Sequence, residues 1–172
     1  MKNIIYVVFL ALGVSNAMAQ SQTEEGRWLI EANTNFGNAH ASNTGFSLNS
    51  TDGETVWNIG AEGGYFIKDN LAIKAGLGYS PALESGSLSP EVFSYKIGAK
   101  YYISNVIPVQ LDFNGAYIQA ADNPSYIGLQ AGYAWFLGDN VSVEPGIRYD
   151  ISTDEEAALS VFQFKIGFAI HI

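Results

Sequence analysis

The stretch Tyr65-Phe66-Ile67-Lys68-Asp69-Asn70-Leu71-Ala72-Ile73-Lys74-Ala75-Gly76-Leu77-Gly78-Tyr79 decides the fold of this chain. It reads as two strands joined by a tight turn at 68–70, because Asp and Asn tolerate turn geometry and hydrogen-bond to their own backbone. Variants recur at 101–109 and 135–143, each with two aromatic residues, an aliphatic residue, a short polar turn and an alternating strand. The copies start about 35 residues apart, which indicates a repeated hairpin.

The N-terminus has the features of a secretory signal peptide. Lys2 is the positive residue, 4–12 is an apolar run, and Ala17-Met18-Ala19 matches a cleavage site. We therefore predict a signal peptide at 1–19 and a mature domain at 20–172. The alternative of a membrane anchor is disfavoured because the apolar run is short for spanning a bilayer. The absence of cysteine excludes a lipoprotein anchor, disulfides and thiolate metal sites.

The composition restricts the class of protein and of partner. The formal charge of −9 becomes −10 when Lys2 leaves with the signal peptide, and this acidity argues against nucleic acid as a partner. Aromatic residues and glycine are abundant, and helical periodicity is absent. The chain is therefore expected to be all-β.

Alternation of apolar and polar residues predicts eight strands of about ten residues, the length that crosses a bilayer at a tilt. They are expected at 27–36, 56–67, 71–79, 92–103, 108–117, 126–137, 141–150 and 160–172. Long polar loops at 37–55, 80–91, 118–125 and 151–159 alternate with three tight turns. This layout predicts an eight-stranded antiparallel up-and-down transmembrane β-barrel. Because Pro145 cannot donate to a ladder, we expect a bulge at Glu144-Pro145-Gly146.

Side-chain size indicates which face of the barrel points outward, since a soluble barrel of lipocalin type would also alternate. One face carries all three Trp and bulky residues that include Phe93, Tyr95, Tyr101, Phe113, Tyr133, Phe162, Phe164 and Phe168. The other face carries small residues: Gly60, Gly64, Gly76, Gly78, Gly98, Gly128, Gly132, Gly146 and Gly167. An eight-stranded interior is only just wide enough for side chains to fill. The bulky face is therefore expected to point outward, into lipid.

The small face also carries five acidic and five basic residues, which we predict to form a lumen charge network. They are Glu31, Glu62, Lys74, Lys96, Lys100, Asp112, Glu144, Arg148, Asp150 and Lys165. Expected contacts are Glu62 with Lys74, and Lys165 with both Glu144 and Glu31. One interpretation is a salt-bridge network that fills the interior. The other is a narrow polar or proton path.

Aromatic residues near the strand ends predict two interfacial girdles. The turn-end girdle consists of Trp28, Tyr65, Tyr101 and Trp135. The loop-end girdle consists of Trp57, Tyr79, Tyr117 and Tyr149.

These hairpins, above all Asp139-Asn140-Val141-Ser142-Val143-Glu144-Pro145-Gly146-Ile147-Arg148-Tyr149, resemble the outer-membrane β-barrel domain family that includes OmpA/OmpX-type barrels. The resemblance covers the whole mature chain. It implies Sec export, the bacterial outer membrane as location, outer-membrane lipid as a partner, and insertion by barrel-assembly machinery. Two features depart from the family: the chain stops at the last strand without a peptidoglycan-binding domain, and Ile172 replaces the aromatic residue of the assembly signal.

The predicted loops are rich in carboxylates and contain no Lys or Arg: Asp52, Glu54, Glu84, Glu91, Asp122, Asp154, Glu155 and Glu156. They form either a solvated rim or a place where divalent cations bridge to anionic surface lipid. His40 and His171 should lie at opposite ends and cannot share a metal. His40, near Ser42 and Asp52, is the one candidate for a catalytic set.

The sequence therefore favours a non-enzymatic barrel with a structural or surface-interaction role through four extracellular loops. No cofactor, metal site or catalytic residue is expected. The alternative is a narrow porin-like channel for small solutes or ions.

Overall fold

The computed structural model describes residues 22–36, 45–51, 54–80, 91–119 and 122–172. Within these ranges the chain forms ten strands. They are β1 (Trp28–Phe36), β2 (Phe46–Thr51), β3 (Glu54–Lys68), β4 (Leu71–Ser80), β5 (Val92–Ile103), β6 (Ile107–Ile118), β7 (Ser125–Gly132), β8 (Trp135–Phe136), β9 (Val141–Ser152) and β10 (Val161–His171). No helix of the described residues has the length and apolar character needed to cross a membrane.

The strands close into a barrel because β1 pairs with both β10 and β3. The ring runs β1, β10, β9, β7, β6, β5, β4, β3 and back to β1, and every ladder in it is antiparallel. The short β8 continues β7 along β9 after a two-residue break. The predicted all-β, eight-stranded antiparallel up-and-down barrel is confirmed.

The three predicted turns all lie at one end of this barrel. Asn70 has a φ of 67°, and the adjacent Ser104 and Asn105 have φ values of 51° and 65°. This left-handed region favours Asn among non-glycine residues, which explains the polar residues of the first two turns. The N-terminal segment and the last residue meet at the same end, where Trp28 and Ile172 exchange two backbone hydrogen bonds of 2.7 and 2.8 Å.

The expected loop at 37–55 is wrong in its second half. Residues 46–51 form β2, which pairs with β3 from Phe46↔Ile59 to Thr51↔Glu54. Because β3 has 15 residues, its loop-end half extends beyond the four-residue ladder with β1, and β2 supplies the missing backbone partner. Residues 37–44 lie outside the described residues.

The bulge predicted at 144–146 is also wrong. The β9–β10 register runs unbroken through Pro145↔Ile166. Tyr133 donates its N–H to the carbonyl of Pro145 (3.0 Å). The nitrogen and the carbonyl of one residue in an antiparallel strand face the same neighbour, so the N–H that Pro145 lacks would also point towards β7. The ladder between β7 and β9 is interrupted there, between Gly132 and Trp135. The neighbouring strand, not β9, accommodates the proline. The register shift that does occur lies at the first turn, between Phe66 and Lys68.

The bulky face points outward. Trp57, Phe113 and Phe164 are 38%, 44% and 61% exposed, and Leu111 and Leu129 are exposed beside them. In a membrane this surface is covered by lipid, and the β1–β3 ladder from Trp28↔Tyr65 to Glu31↔Glu62 closes the sheet edge at the turn end.

Candidate functional site

The ten charged residues singled out in the sequence all lie inside the barrel, and each is at most 4% exposed. They divide into two groups along the barrel axis. The turn-side cluster consists of Glu31, Glu62, Glu144, Lys74, Lys96 and Lys100. The loop-side cluster consists of Asp112, Arg148 and Asp150. Lys165 has no ion pair with either cluster among the described contacts; its Nζ and Arg148 Nη1 both donate to Gln130 Oε1.

In the turn-side cluster each ammonium group contacts carboxylates of other strands. Lys100 Nζ lies 2.6 Å from Glu31 and 2.5 Å from Glu144. Lys74 Nζ lies 2.9 Å from Glu31 and 2.6 Å from Glu62. With three acids and three bases the cluster is formally neutral, which a buried ionic group requires to offset its desolvation.

The loop-side cluster is built around Arg148. Its guanidinium donates to both carboxylate oxygens of Asp112 (2.6 and 2.8 Å) and to both of Asp150 (2.7 and 3.0 Å). Gly128 makes this arrangement possible, because a Cβ at that position would lie 2.0 Å from Arg148 Nη2. The planar donor fork of Arg suits such paired recognition of carboxylates.

Gln110 joins the two clusters. Its side-chain oxygen accepts from Lys74 Nζ (2.9 Å), and its amide nitrogen donates to Asp112 (2.7 Å). Asn114 extends the network by donating to both Asp112 and Asp150 (3.0 Å each). Hydrogen bonds therefore run through the interior from Glu144 to Asp150.

Lys165 has different partners from those expected. Its Nζ donates to Gln130 Oε1 at 2.7 Å. Neither Glu31 nor Glu144 has an ion pair with it among the described contacts; both bind Lys100 instead. The register explains the difference, because Lys165 is level with Asn35, four residues along β1 from Glu31. The expected Glu62–Lys74 pair is present.

Between the turn-side cluster and the turn end of the barrel, an apolar layer closes the interior. The sequence did not predict this layer. It consists of Leu29, Phe66, Ala72, Tyr102, Val106, Ala134, Phe136 and Ala169. The expectation of a small-residue interior is therefore wrong at this end. The sequence alternation places Phe66 and Tyr102 on the inward face, and these two bulky residues could have indicated an apolar layer inside the barrel. Tyr133, expected outside, is partly buried and packs against this layer.

The eight predicted girdle residues are all exposed on the outer surface. At the turn end, the rings of Trp28 and Tyr65 lie edge to face at 5.1 Å. At the loop end, Trp57 and Tyr79 contact each other at 6.5 Å. Amphipathic rings at these two levels suit the two membrane–water interfaces.

The predicted loop sites are only partly described. Glu54 lies in β3, not in a loop. Glu91 accepts a hydrogen bond from the Tyr79 hydroxyl (2.8 Å), and Asp122 is exposed. Exposed acidic residues also occur at 154–156, where Asp154 Oδ1 accepts from the Glu156 N–H. Asp52, Glu84, His40 and Ser42 lie outside the described residues. Among those described, no group of three or more His, Asp or Glu is arranged to hold a metal ion.

Comparisons with known proteins bear on the fold. Residues 7–92, half of the 172-residue chain, match the family model of the outer membrane protein beta-barrel domain. No curated protein matches the chain in sequence at a significant level. The N-terminal β-barrel domain of Pseudomonas aeruginosa OprF is similar in structure with a TM-score of 0.53 at 10% identity, over 86% of this chain and 98% of that one.

Two further solved structures are similar to the chain. Neisserial surface protein A (NspA) has a TM-score of 0.51 at 16% identity, over 85% of this chain and 99% of that one. A de novo designed transmembrane β-barrel has a TM-score of 0.50 at 11% identity, over 87% and 98%. At these identities the likeness concerns the fold alone.

Proposed function

The chain belongs to the outer membrane protein beta-barrel domain family, and we propose that it is a non-enzymatic protein that acts through the four loops at one end of a filled barrel. As an outer-membrane β-barrel protein it has two surfaces that could carry a function, the interior and the loop end. The interior has little support as a working site, because its charged side chains bind one another. Loops on a rigid scaffold are where recognition usually resides.

The observation that carries this proposal is the packing of the interior. Lys100 and Arg148 are almost fully buried and each holds two carboxylates of different strands. Asn114 and Gln163 add hydrogen bonds to Asp150 on its remaining sides. A porin-like path for solutes would need these groups to separate, so the channel alternative is the weaker one.

Planar-bilayer conductance of the purified, refolded protein tests the filled interior. We expect no stable current steps at neutral pH in the parent protein. Stable, reproducible current from the parent protein would refute the proposal and support a narrow channel.

The role of the loops is tested by shortening them singly. Replacing residues 37–44 by a short Gly-Ser linker should reduce surface binding or envelope integrity, while the barrel still forms. The same replacement of residues 154–159 is the matched comparison. If both variants retain the parent's surface binding and envelope integrity, a loop-based role is wrong.

The partners that we propose are outer-membrane lipid, the barrel-assembly machinery during biogenesis, and a surface ligand or divalent cations at the acidic loops. Lipid is supported by the exposed apolar surface, which includes an open groove of about 570 Å³ beside Leu111, Leu129 and Ile147.

The cation proposal is tested by measuring the melting temperature of the protein with and without Ca²⁺; an unchanged melting temperature would oppose it. We further propose Sec export with cleavage after Ala19, which N-terminal sequencing of the mature protein tests.

A further inference from the structure

The short segment before β1 is buried although it is polar and precedes the first strand. Gln22 and Thr23 are 0% and 1% exposed, whereas the neighbouring Glu24 and Glu25 are exposed. A polar leader outside the secondary structure is normally solvated, so burial of two consecutive polar side chains needs partners to offset it. Those partners lie at the turn end of the barrel.

The two buried residues contact each of the three repeated turns. Thr23 donates its hydroxyl to Asn70 Oδ1 (2.6 Å), and its carbonyl accepts from the Asn70 N–H (2.7 Å). Asn105 donates to the Thr23 hydroxyl through a long bond of 3.5 Å. Gln22 donates its amide N–H to the carbonyl of Gly138 (2.5 Å). One segment of the chain thus joins three hairpins that do not adjoin it in sequence.

The same segment covers a buried histidine. His171 Nδ1 lies 3.0 Å from the Gln22 carbonyl, and Nε2 lies 3.1 Å from the Ser142 hydroxyl. The imidazole ring packs against the rings of Phe66 and Phe136, with centroids 6.2 and 5.3 Å away. On the interior side of His171, the Ser142 hydroxyl donates to Glu144 of the turn-side cluster. The segment therefore lies on top of the polar and apolar layers that fill the barrel.

We propose that residues 22–26 form a latch that closes the turn-end mouth of the barrel and can open without breaking the ion pairs inside. The bonds of Gln22 and Thr23 to the turns join uncharged groups, in contrast with the ion pairs of the interior. One further bond, from the Glu25 N–H to the Asp69 carboxylate (3.0 Å), lies at an exposed position. Such bonds have a modest net strength, so local opening is far easier than opening the barrel. The latch ends where Gly26 donates to the carbonyl of Phe66 (2.9 Å).

The absence of cysteine from the chain permits a direct test. Ser142→Cys is nearly isosteric and places a thiol beneath His171. Gln163→Cys places a thiol in the buried interior at the loop end, away from the latch. Each single-cysteine protein is refolded in lipid vesicles and treated with a water-soluble maleimide, and labelling rates are compared in the parent, in Gln22→Ala/Thr23→Ala and in the matched control Glu24→Ala/Glu25→Ala.

We expect the double Gln22/Thr23 substitution to label Ser142→Cys at least about tenfold faster than the parent or the control, because lost hydrogen bonds raise the open population. Labelling of Gln163→Cys should not change. Equal rates at Ser142→Cys in all backgrounds would overturn the proposal, whether fast or slow. Failure of the double variant to show the heat-modifiable mobility of a folded barrel would also overturn it, since a latch that opens independently is not required for folding.

Discussion

Replacing Arg148 by Met should destabilise the barrel strongly, because it removes the cation from a buried group of three charges. Arg148 is 1% exposed and donates to both oxygens of Asp112 and both oxygens of Asp150. Met reproduces the side chain of Arg as far as Nε, so the aliphatic packing is retained and the lost atoms are those of the charged group. Breaking a buried ion pair by removing one partner costs about 3–5 kcal/mol, mainly through the charge that is left unpaired. Here two carboxylates are left, so we expect the upper part of that range.

The assay is urea unfolding of the refolded protein in lipid vesicles, followed by tryptophan fluorescence and by heat-modifiable gel mobility. With an m-value of about 2 kcal/mol per M, a loss of about 4 kcal/mol moves the midpoint by about 2 M. Lys68→Met is the control, because it removes a positive charge from an exposed position and should change stability by less than about 0.5 kcal/mol.

A compensated variant separates the charge effect from a packing effect. Arg148→Met combined with Asp112→Asn and Asp150→Asn removes all three charges together, and it should regain most of the lost stability. The reasoning is refuted if Arg148→Met shifts the midpoint no more than Lys68→Met does. It is also refuted if the triple variant is no more stable than the single one.

Three further substitutions are expected to have measurable effects in the same unfolding assay. Gly128→Ala should lower the free energy of unfolding by at least about 2 kcal/mol, because its Cβ would overlap the Arg148 guanidinium. The control Gly63→Ala meets no atom within 4 Å and should be nearly neutral. Equal losses of stability in the two variants would contradict the steric origin. Leu129→Arg, at an exposed mid-strand position, should cost about 2–4 kcal/mol in lipid, and a cost below 1 kcal/mol would place that face outside the hydrocarbon. Trp28→Ala should cost more than about 1 kcal/mol through loss of the ring contact with Tyr65 and of its interfacial anchoring; an unchanged midpoint would argue against the turn-end girdle.

The features of the fold that could be predicted from sequence are those with a local cause. Strand alternation identifies the eight ring strands, since a strand between lipid and a polar interior must alternate. Turn residues such as Asn70 mark the hairpins because the left-handed region has a residue preference that a single position reveals. Strand β2 was missed because Phe46 and Leu48 give too short an alternation to separate from a polar loop, and its pairing depends on the length of β3.

The features that sequence reasoning missed depend on the stagger between strands. Lys165 contacts Gln130 because the registers of β10 with β9 and of β9 with β7 place Gln163 and Gln130 level with the same residue, Arg148, and neither Lys165 nor Gln130 carries that information alone. The burial of Gln22 follows from the positions of three separate turns, so a reading of the leader as a polar tail could not detect it. Alternation places residues on a face, whereas contacts across an interior require the full register.

The ion pairs of the turn-side cluster support the proposal that the interior is filled and does not transport solutes. Lys100 of β5 binds Glu31 of β1 and Glu144 of β9, three strands that are not neighbours in the ring. These ion pairs therefore cross the barrel as braces, and the interior cannot widen along them without breaking at least one. Separating the two ions of a buried pair is costly unless water replaces the lost contacts, and this disfavours the widened state. These braced ion pairs support our proposal that the protein acts at its loop end and not through its interior.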